Sequence, residues 1–295
     1  MNRDLNFTRR EVFSALTFAT TSALLTNDSA AQTAAKDQSQ LVARDSEKPL
    51  TCGLLLFPNM TALDLVAPQL VMSKLPNSVV HLIAESQSPV MSDSDLAIVP
   101  TMTFEQCPDE LDVFFVPGGP KGTLTALQND RLLDFVSHRG SRARYITSVC
   151  TGSVLLGAAG LLKGYKAASY WGTLDMLPVF EATPVSDRVV KDRNRITGGG
   201  ITAGLDFGLE LAAELRGEQR ARLQQLIMEY DPKPPFDSGS LNTASAETVA
   251  HARELLVLRC LLFARRRSGG ETTRINAWPK SHQRRRSPPR SSSER

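Results

Sequence analysis

Cys150 closes the apolar run RYITSV and is followed at once by Thr151, Gly152 and the helix-like stretch SVLLGAAGLLKG. A free cysteine is among the most buried residue types, so a structural thiol is one reading of this position. The other is a nucleophile held on a strand-to-helix turn, where a helix N-terminus and unpaired N–H groups favour thiolate. On that reading the Cys150 pKa is depressed and Cys150 alkylates faster than Cys52, Cys107 or Cys260. Two further features carry chemistry. VPGGP places Gly118 and Gly119 where their N–H groups can face an anion or a developing charge, although a plain glycine turn reads the same way. TALDLVAP puts Asp64 at the start of a helix, as an N-cap or as a carboxylate for proton transfer. Nucleophile, donor pair and carboxylate together form the set that covalent catalysis needs, provided the fold brings them to one place.

The elements that would do so alternate along the chain. Residues 51–57 read as a fully apolar strand, 64–74 as a helix, 79–85 as a strand, and 96–99 as a short alternating segment. Then come an apolar strand over 111–119, a helical pattern to about residue 139, the strand before Cys150, and a helix over 151–162 stopped by Lys163 and Gly164. Strands apolar on both faces and separated by helices predict an α/β fold. It is a doubly wound, mostly parallel sheet with helices on both faces, a flavodoxin-like three-layer sandwich. In such a sheet ligands bind outside the carboxyl ends of the strands, where Asp64, Gly118, Gly119 and Cys150 all fall. Further on, RVVKDRNRITG predicts two strands turning at Arg193 and Asn194. Helices follow over 202–215 and about 218–230, then DPKPPFDSGS as an extended arm. The domain is expected over 51–250, a short helix over 251–264, and a basic low-complexity tail over 265–295.

The net charge of +3 over 295 residues hides segments of opposite character. From residue 259 onward, eleven Lys or Arg face two Glu, while residues 1–35 balance. The remainder is mildly acidic, which gives no support to nucleic-acid binding. Arg9 and Arg10 precede an apolar stretch too short and too polar to span a bilayer, with small residues near Ala31 and Ala35. This pattern predicts a twin-arginine export signal over residues 1–35, hence a periplasmic protein without stable membrane insertion, and a linker over 36–50. A cytoplasmic location is the alternative. The cysteines lack metal-ligand spacing, so no metal is expected.

Five ordered blocks carry a resemblance: LLLFPNMTALDLVAP, TMTFEQCPDELDVFFVPGGP, RYITSVCTGSVLLGAAGLLKGYKA, RITGGGITAGLDFGLELAAEL and EYDPKPPFDSGS. Together they resemble the isonitrile hydratases of the ThiJ/PfpI family, in the class I glutamine-amidotransferase-like superfamily, over about residues 51–250. The resemblance implies a homodimer, no cofactor, and hydration of R–N≡C to an N-substituted formamide through a thioimidate. It also implies Cys150 as nucleophile, Thr151 as the neighbouring hydroxyl and Asp64 as the essential carboxylate. Gly118, Gly119, Tyr170 and Trp171 would then bind substrate or stabilise charge. Two positions depart from the family pattern. Ala67 stands where relatives have glycine, adding a methyl beside the carboxylate, and Tyr170 stands where they have histidine. A catalytically silent small-molecule-binding member, or a ligand-sensing domain related to transcription regulators, is the alternative. The chain after residue 250 is too short for the two helix-turn-helix motifs of such regulators.

Overall fold

The structure is a computed structural model that describes residues 49–267, with side chains to residue 256. The signal-like segment 1–35, the linker up to residue 48, the tail beyond 267 and the Cys260 side chain lie outside the described residues. The chain forms two units, one ending at Ser245 and one beginning at Ala246, a boundary five residues before the expected 250.

In the first unit β1 (Leu50–Leu55) leads into α1 (Ala62–Ser73) and β2 (Ser78–Ala84). The short strands β3 (Val90–Met91), β4 (Ala97–Ile98) and β5 (Met102–Thr103) follow, then β6 (Val113–Val116), α2 (Pro120–Ala126) and α3 (Asp130–Arg142). Next come β7 (Tyr145–Val149), α4 (Gly152–Ala158), β8 (Lys166–Ala167), a 3-10 helix (Leu174–Phe180) and β9 (Thr183–Pro184). The hairpin β10 (Val189–Asp192) and β11 (Arg195–Gly198) precedes α5 (Ala203–Arg216) and α6 (Glu218–Ile227). The second unit contains α7 (Ala246–Arg267), which is longer than the helix expected from residue 251.

Seven strands form one sheet in the order β10-β11-β7-β6-β1-β2-β5, parallel throughout except for the antiparallel pair β10–β11. This is the doubly wound sandwich that the alternation of elements predicts. β6 shows why the layers form. All four of its residues are buried, and successive side chains of a strand point to opposite faces. Phe114 meets Phe135 of α3 edge-on at 6.0 Å, whereas Phe115 meets Phe207 of α5 at 5.5 Å on the other face. Burying such a side chain contributes about 1.5 to 3 kcal/mol, so a strand without a polar face needs a helix layer on each side.

The chain runs from β1 outward to β2, then crosses back so that β6 lies on the other side of β1. Connections therefore leave β1 and β6 in opposite directions, which opens a crevice at their carboxyl ends. Asp64 follows β1, Gly118 and Gly119 follow β6, and Cys150 follows β7 beside it. The helix after Cys150 is shorter than expected: α4 ends at Ala158, and residues 159–164 are turn. Gly160 and Gly164 both have positive φ, which breaks the helix early. The arm 231–240 is nonhelical and exposed, as its prolines predict.

Candidate active site

Cys150 has φ +60°, a left-handed conformation that costs a non-glycine residue about 1 to 2 kcal/mol. Backbone hydrogen bonds hold it there. Its N–H donates to the carbonyls of Gly198 (3.1 Å) and Gly199 (2.8 Å). Its own carbonyl accepts from the Ser153 hydroxyl (3.1 Å), the Ser169 hydroxyl (3.2 Å) and the Tyr170 N–H (3.2 Å). The chain then turns against β6 so closely that a Cβ at position 152 would lie 2.2 Å from the Val116 carbonyl oxygen, so only glycine fits. The result is a tight strand-to-helix turn with a thiol at its apex.

Asp64 is fully buried, in the first turn of α1. It is not the N-cap: Thr61 occupies that position, and its carbonyl accepts the Asp64 N–H at 3.1 Å. The carboxyl is thereby left to turn inward. Oδ2 accepts the Gly118 N–H at 3.2 Å, while Oδ1 has no hydrogen-bond partner within the structure. The Cys150 thiol is the side chain that faces this carboxyl. Burial pushes the Asp64 pKa up to about 7, against the pull of the thiol and of the Gly118 N–H, with the Asp93 carboxylate adding a small push upward.

Burial also pushes the Cys150 thiol well above its ordinary range, and the Asp64 carboxylate adds to the rise. The N–H groups of Ile201 and Thr151 pull the other way and lose. This corrects the expectation of a depressed thiol pKa. At 1 % exposure the desolvation of a thiolate outweighs the field of a helix of only seven residues. Cys52 and Cys107 are raised too, Cys52 to about 12, each by burial. Thiol and carboxyl form a coupled pair whose first proton leaves near neutrality and whose second is held far higher.

Gly118 and Gly119 fall at the site, but not in the role expected of them. Gly118 N–H is engaged by Asp64, and Gly119 N–H donates to Thr151 Oγ1 at 2.9 Å, so neither is left to receive a developing charge. The N–H groups acting on the sulfur are those of Thr151 and Ile201. The Thr151 hydroxyl also lies 2.7 Å from that of Thr123, a buried residue of α2 that sequence reasoning missed. Tyr170 and Trp171 are half-buried, with ring centroids 5.3 Å apart, and Tyr170 reaches the elbow through its backbone. Ala67 is buried in α1, three residues after Asp64. It packs toward α5, 3.4 Å from where a Cβ at Gly204 would stand. Among the described residues no cluster of His, Cys, Asp and Glu is placed to hold a metal ion, and no helix is long and apolar enough to cross a membrane.

If the carboxylate opposes ionisation of the thiol, Asp64→Asn makes Cys150 easier to ionise. Iodoacetamide at pH 8 is expected to label Cys150 about tenfold faster in the variant for each pKa unit released. Cys52 and Cys107 serve as internal standards in the same peptide digest. An unchanged Cys150 rate would show that the two groups do not interact.

A doubly wound sandwich with a cysteine at a strand-to-helix elbow, paired with a buried acid, defines a class of cysteine-centred α/β proteins. The DJ-1/PfpI family model matches residues 52–214, more than half of the chain, which belongs to that family. Isonitrile hydratase of Pseudomonas putida is 51% identical over 205 residues, covering 70% of this chain and 89% of that one. A ThiJ/PfpI family protein from Pseudomonas syringae, solved by crystallography, superposes with a TM-score of 0.70 at 51% identity, covering 71% of this chain and 87% of that one. The HTH-type transcriptional regulator GbdR of Pseudomonas aeruginosa is 29% identical over 186 residues, 60% of this chain and 50% of the regulator.

Proposed function

We propose that this protein hydrates an isonitrile to an N-substituted formamide, with Cys150 as nucleophile and Asp64 as the proton carrier. One observation above all supports the reading: a buried carboxyl with a pKa raised to about 7 faces the thiol, poised to give and take protons at neutral pH. The identity to isonitrile hydratase supports the substrate class.

In the first step Asp64 takes the thiol proton as sulfur attacks the terminal carbon of R–N≡C. It then delivers that proton to the same carbon, giving R–N=CH–S–Cys150. One C–S and one C–H bond form. In the second step Asp64 accepts a proton from water as the water oxygen attacks this carbon. The C–S bond breaks, the proton returns to sulfur, and R–N=CH–OH tautomerises to R–NH–CHO. The sum is R–N≡C + H₂O → R–NH–CHO. The N–H groups of Thr151 and Ile201 stabilise the sulfur while it is anionic, a kind of contact that contributes about 3 to 4 kcal/mol per donor in comparable sites. Incubation with a panel of alkyl and aryl isonitriles, with formamide measured by liquid chromatography and mass spectrometry, tests the reading. Binding without formamide from any of them leaves a ligand-binding role instead.

Tyr170 separates two versions of this chemistry. If the residue before Trp171 only shapes the pocket, wild-type turnover is substantial and Tyr170→His changes it little. If its proton chemistry is needed, wild type is slower by about 10² to 10⁴ and Tyr170→His raises the rate. A new ionisation near pH 6 to 7 then enters the pH profile. We expect a modest gain, because Asp64 already supplies a proton carrier.

The export reading rests on Arg9 and Arg10 and stays a proposal. Changing both to lysine is expected to trap an unprocessed precursor inside the cell, whereas the parent is processed near Gln32 or Lys36. Fractionation with N-terminal sequencing of both forms checks this.

A further inference from the structure

The carbonyl of Cys150 and the N–H of Thr151 belong to one peptide unit, whose carbonyl end is crowded with donors. Ser153 Oγ (3.1 Å), Ser169 Oγ (3.2 Å) and the Tyr170 N–H (3.2 Å) converge on the carbonyl oxygen. A carbonyl oxygen offers two lone pairs, so three donors make a crowded clamp. The N–H at the other end acts on the Cys150 sulfur. Ser153 is fully buried and Ser169 nearly so. With its own proton on the Cys150 carbonyl, Ser169 Oγ can only accept from the Thr173 hydroxyl 3.0 Å away, whose single proton has the Tyr170 carbonyl at 3.1 Å as its other acceptor.

We infer that Ser153 and Ser169 are positioning residues, whose hydroxyls fix the plane of the Cys150–Thr151 peptide and strengthen its N–H as a donor to the sulfur. Donors on a carbonyl polarise the whole amide, so the N–H at its far end becomes a better donor, and in a buried setting this cooperative effect is not diluted by water. The same contacts resist rotation of a peptide whose φ of +60° is otherwise unfavourable. Ser169 also ties the segment bearing Tyr170 and Trp171 to the nucleophile, so the aromatic pair and the thiol share one anchor.

The other groups acting on the sulfur do not depend on these hydroxyls. Among the described residues Asp64, from α1, is the charged group acting on the thiol, and Asp93, between β3 and β4, acts on Asp64 and accepts the Thr61 hydroxyl at 2.6 Å. Ile201, at the turn before α5, contributes a backbone N–H, and β11 contributes the carbonyls that hold the Cys150 N–H.

The catalytic consequence rests on the hydratase reading, but the test does not need it. In Ser153→Ala, Ser169→Ala and the double variant, the pH profile of Cys150 alkylation is expected to move to higher pH. At a fixed pH of 8, labelling slows about threefold for each single variant and about tenfold for the double. Cys52 and Cys107 label at the parent rate, and Ser169→Thr, which keeps the hydroxyl, restores the parent profile. Where formamide is produced, kcat falls with KM little changed. An unmoved Cys150 profile would overturn the inference, as would faster labelling of Cys52, Cys107 and Cys150 together, which marks loosening of the fold. Should wild type turn over no isonitrile, the hydratase reading falls, while the alkylation profiles still decide the role of the clamp.

Discussion

Cys150→Ser is expected to lower kcat for isonitrile hydration by about 10⁴ to 10⁶, the scale at which removing a nucleophile leaves only binding and backbone stabilisation. The serine hydroxyl fits the same buried elbow and pays the same left-handed φ, so the fold should persist. The difference lies in ionisation. A thiol here, even with its pKa raised by burial, remains a far stronger acid and better nucleophile than an alcohol in the same place, which a carboxyl of pKa about 7 cannot deprotonate. Formamide formation compared between parent and variant, with circular dichroism to confirm folding, measures the effect. Retention of more than about a tenth of the parent rate would remove the thiol from the reaction.

Asp64→Asn is the second large effect, and it has two opposite signs. Turnover falls by about 10² to 10⁴, because the amide can still accept the Gly118 N–H but can carry no proton. Stability rises. The folded pKa of Asp64, about 7, lies above its ordinary 3.8. Below pH 4 both folded and unfolded chains hold the proton, and the full contribution to stability is present. As pH rises from about 4 to 7, the unfolded chain ionises while the folded one does not, so stability is lost. At about 1.4 kcal/mol per pH unit the loss approaches about 4 kcal/mol by pH 7. The variant lacks this loss. Its Tm should exceed that of the parent by about 8 to 16 °C at pH 7.5 and match it near pH 4. An inactive variant whose Tm difference from the parent does not change with pH would show that Asp64 acts without a raised pKa.

The sheet was legible because its strands are short apolar runs bounded by helical patterns, and β6 carries the signal most plainly, with Phe114 and Phe115 committed to opposite layers. Asp64, Gly118, Gly119 and Cys150 could be placed at one edge from their positions after β1, β6 and β7. Their electrostatics could not. A helix N-terminus argues for a depressed thiol, and only the burial of Cys150 and the opposing Asp64 carboxyl reverse the sign. The donor roles of Gly118 and Gly119 failed for a related reason: sequence locates an N–H, but not the acceptor already in front of it. Ser153 stands three residues after Cys150 and could have been read as a hydroxyl bonding back to the preceding turn. Ser169 and Thr123 had no such signal, since each reaches the site across 19 or more residues. Ala67 shows how much of a side chain's surroundings lies beyond its own helix. Its methyl, three residues from Asp64 on α1, also packs against α5, 3.4 Å from where a Cβ at Gly204 would stand, a contact that the sequence does not show.

The central claim is that isonitrile hydration passes through a covalent bond to Cys150. A single-turnover experiment, with protein in excess over an isonitrile and quenched in acid at successive times, tests it most directly. Mass spectrometry of the peptide bearing Cys150 should show a species heavier by the mass of the isonitrile, rising and then decaying as formamide appears. Formamide appearing at the full rate with no such species at any time, and with Cys150→Ser matching the parent, would contradict it.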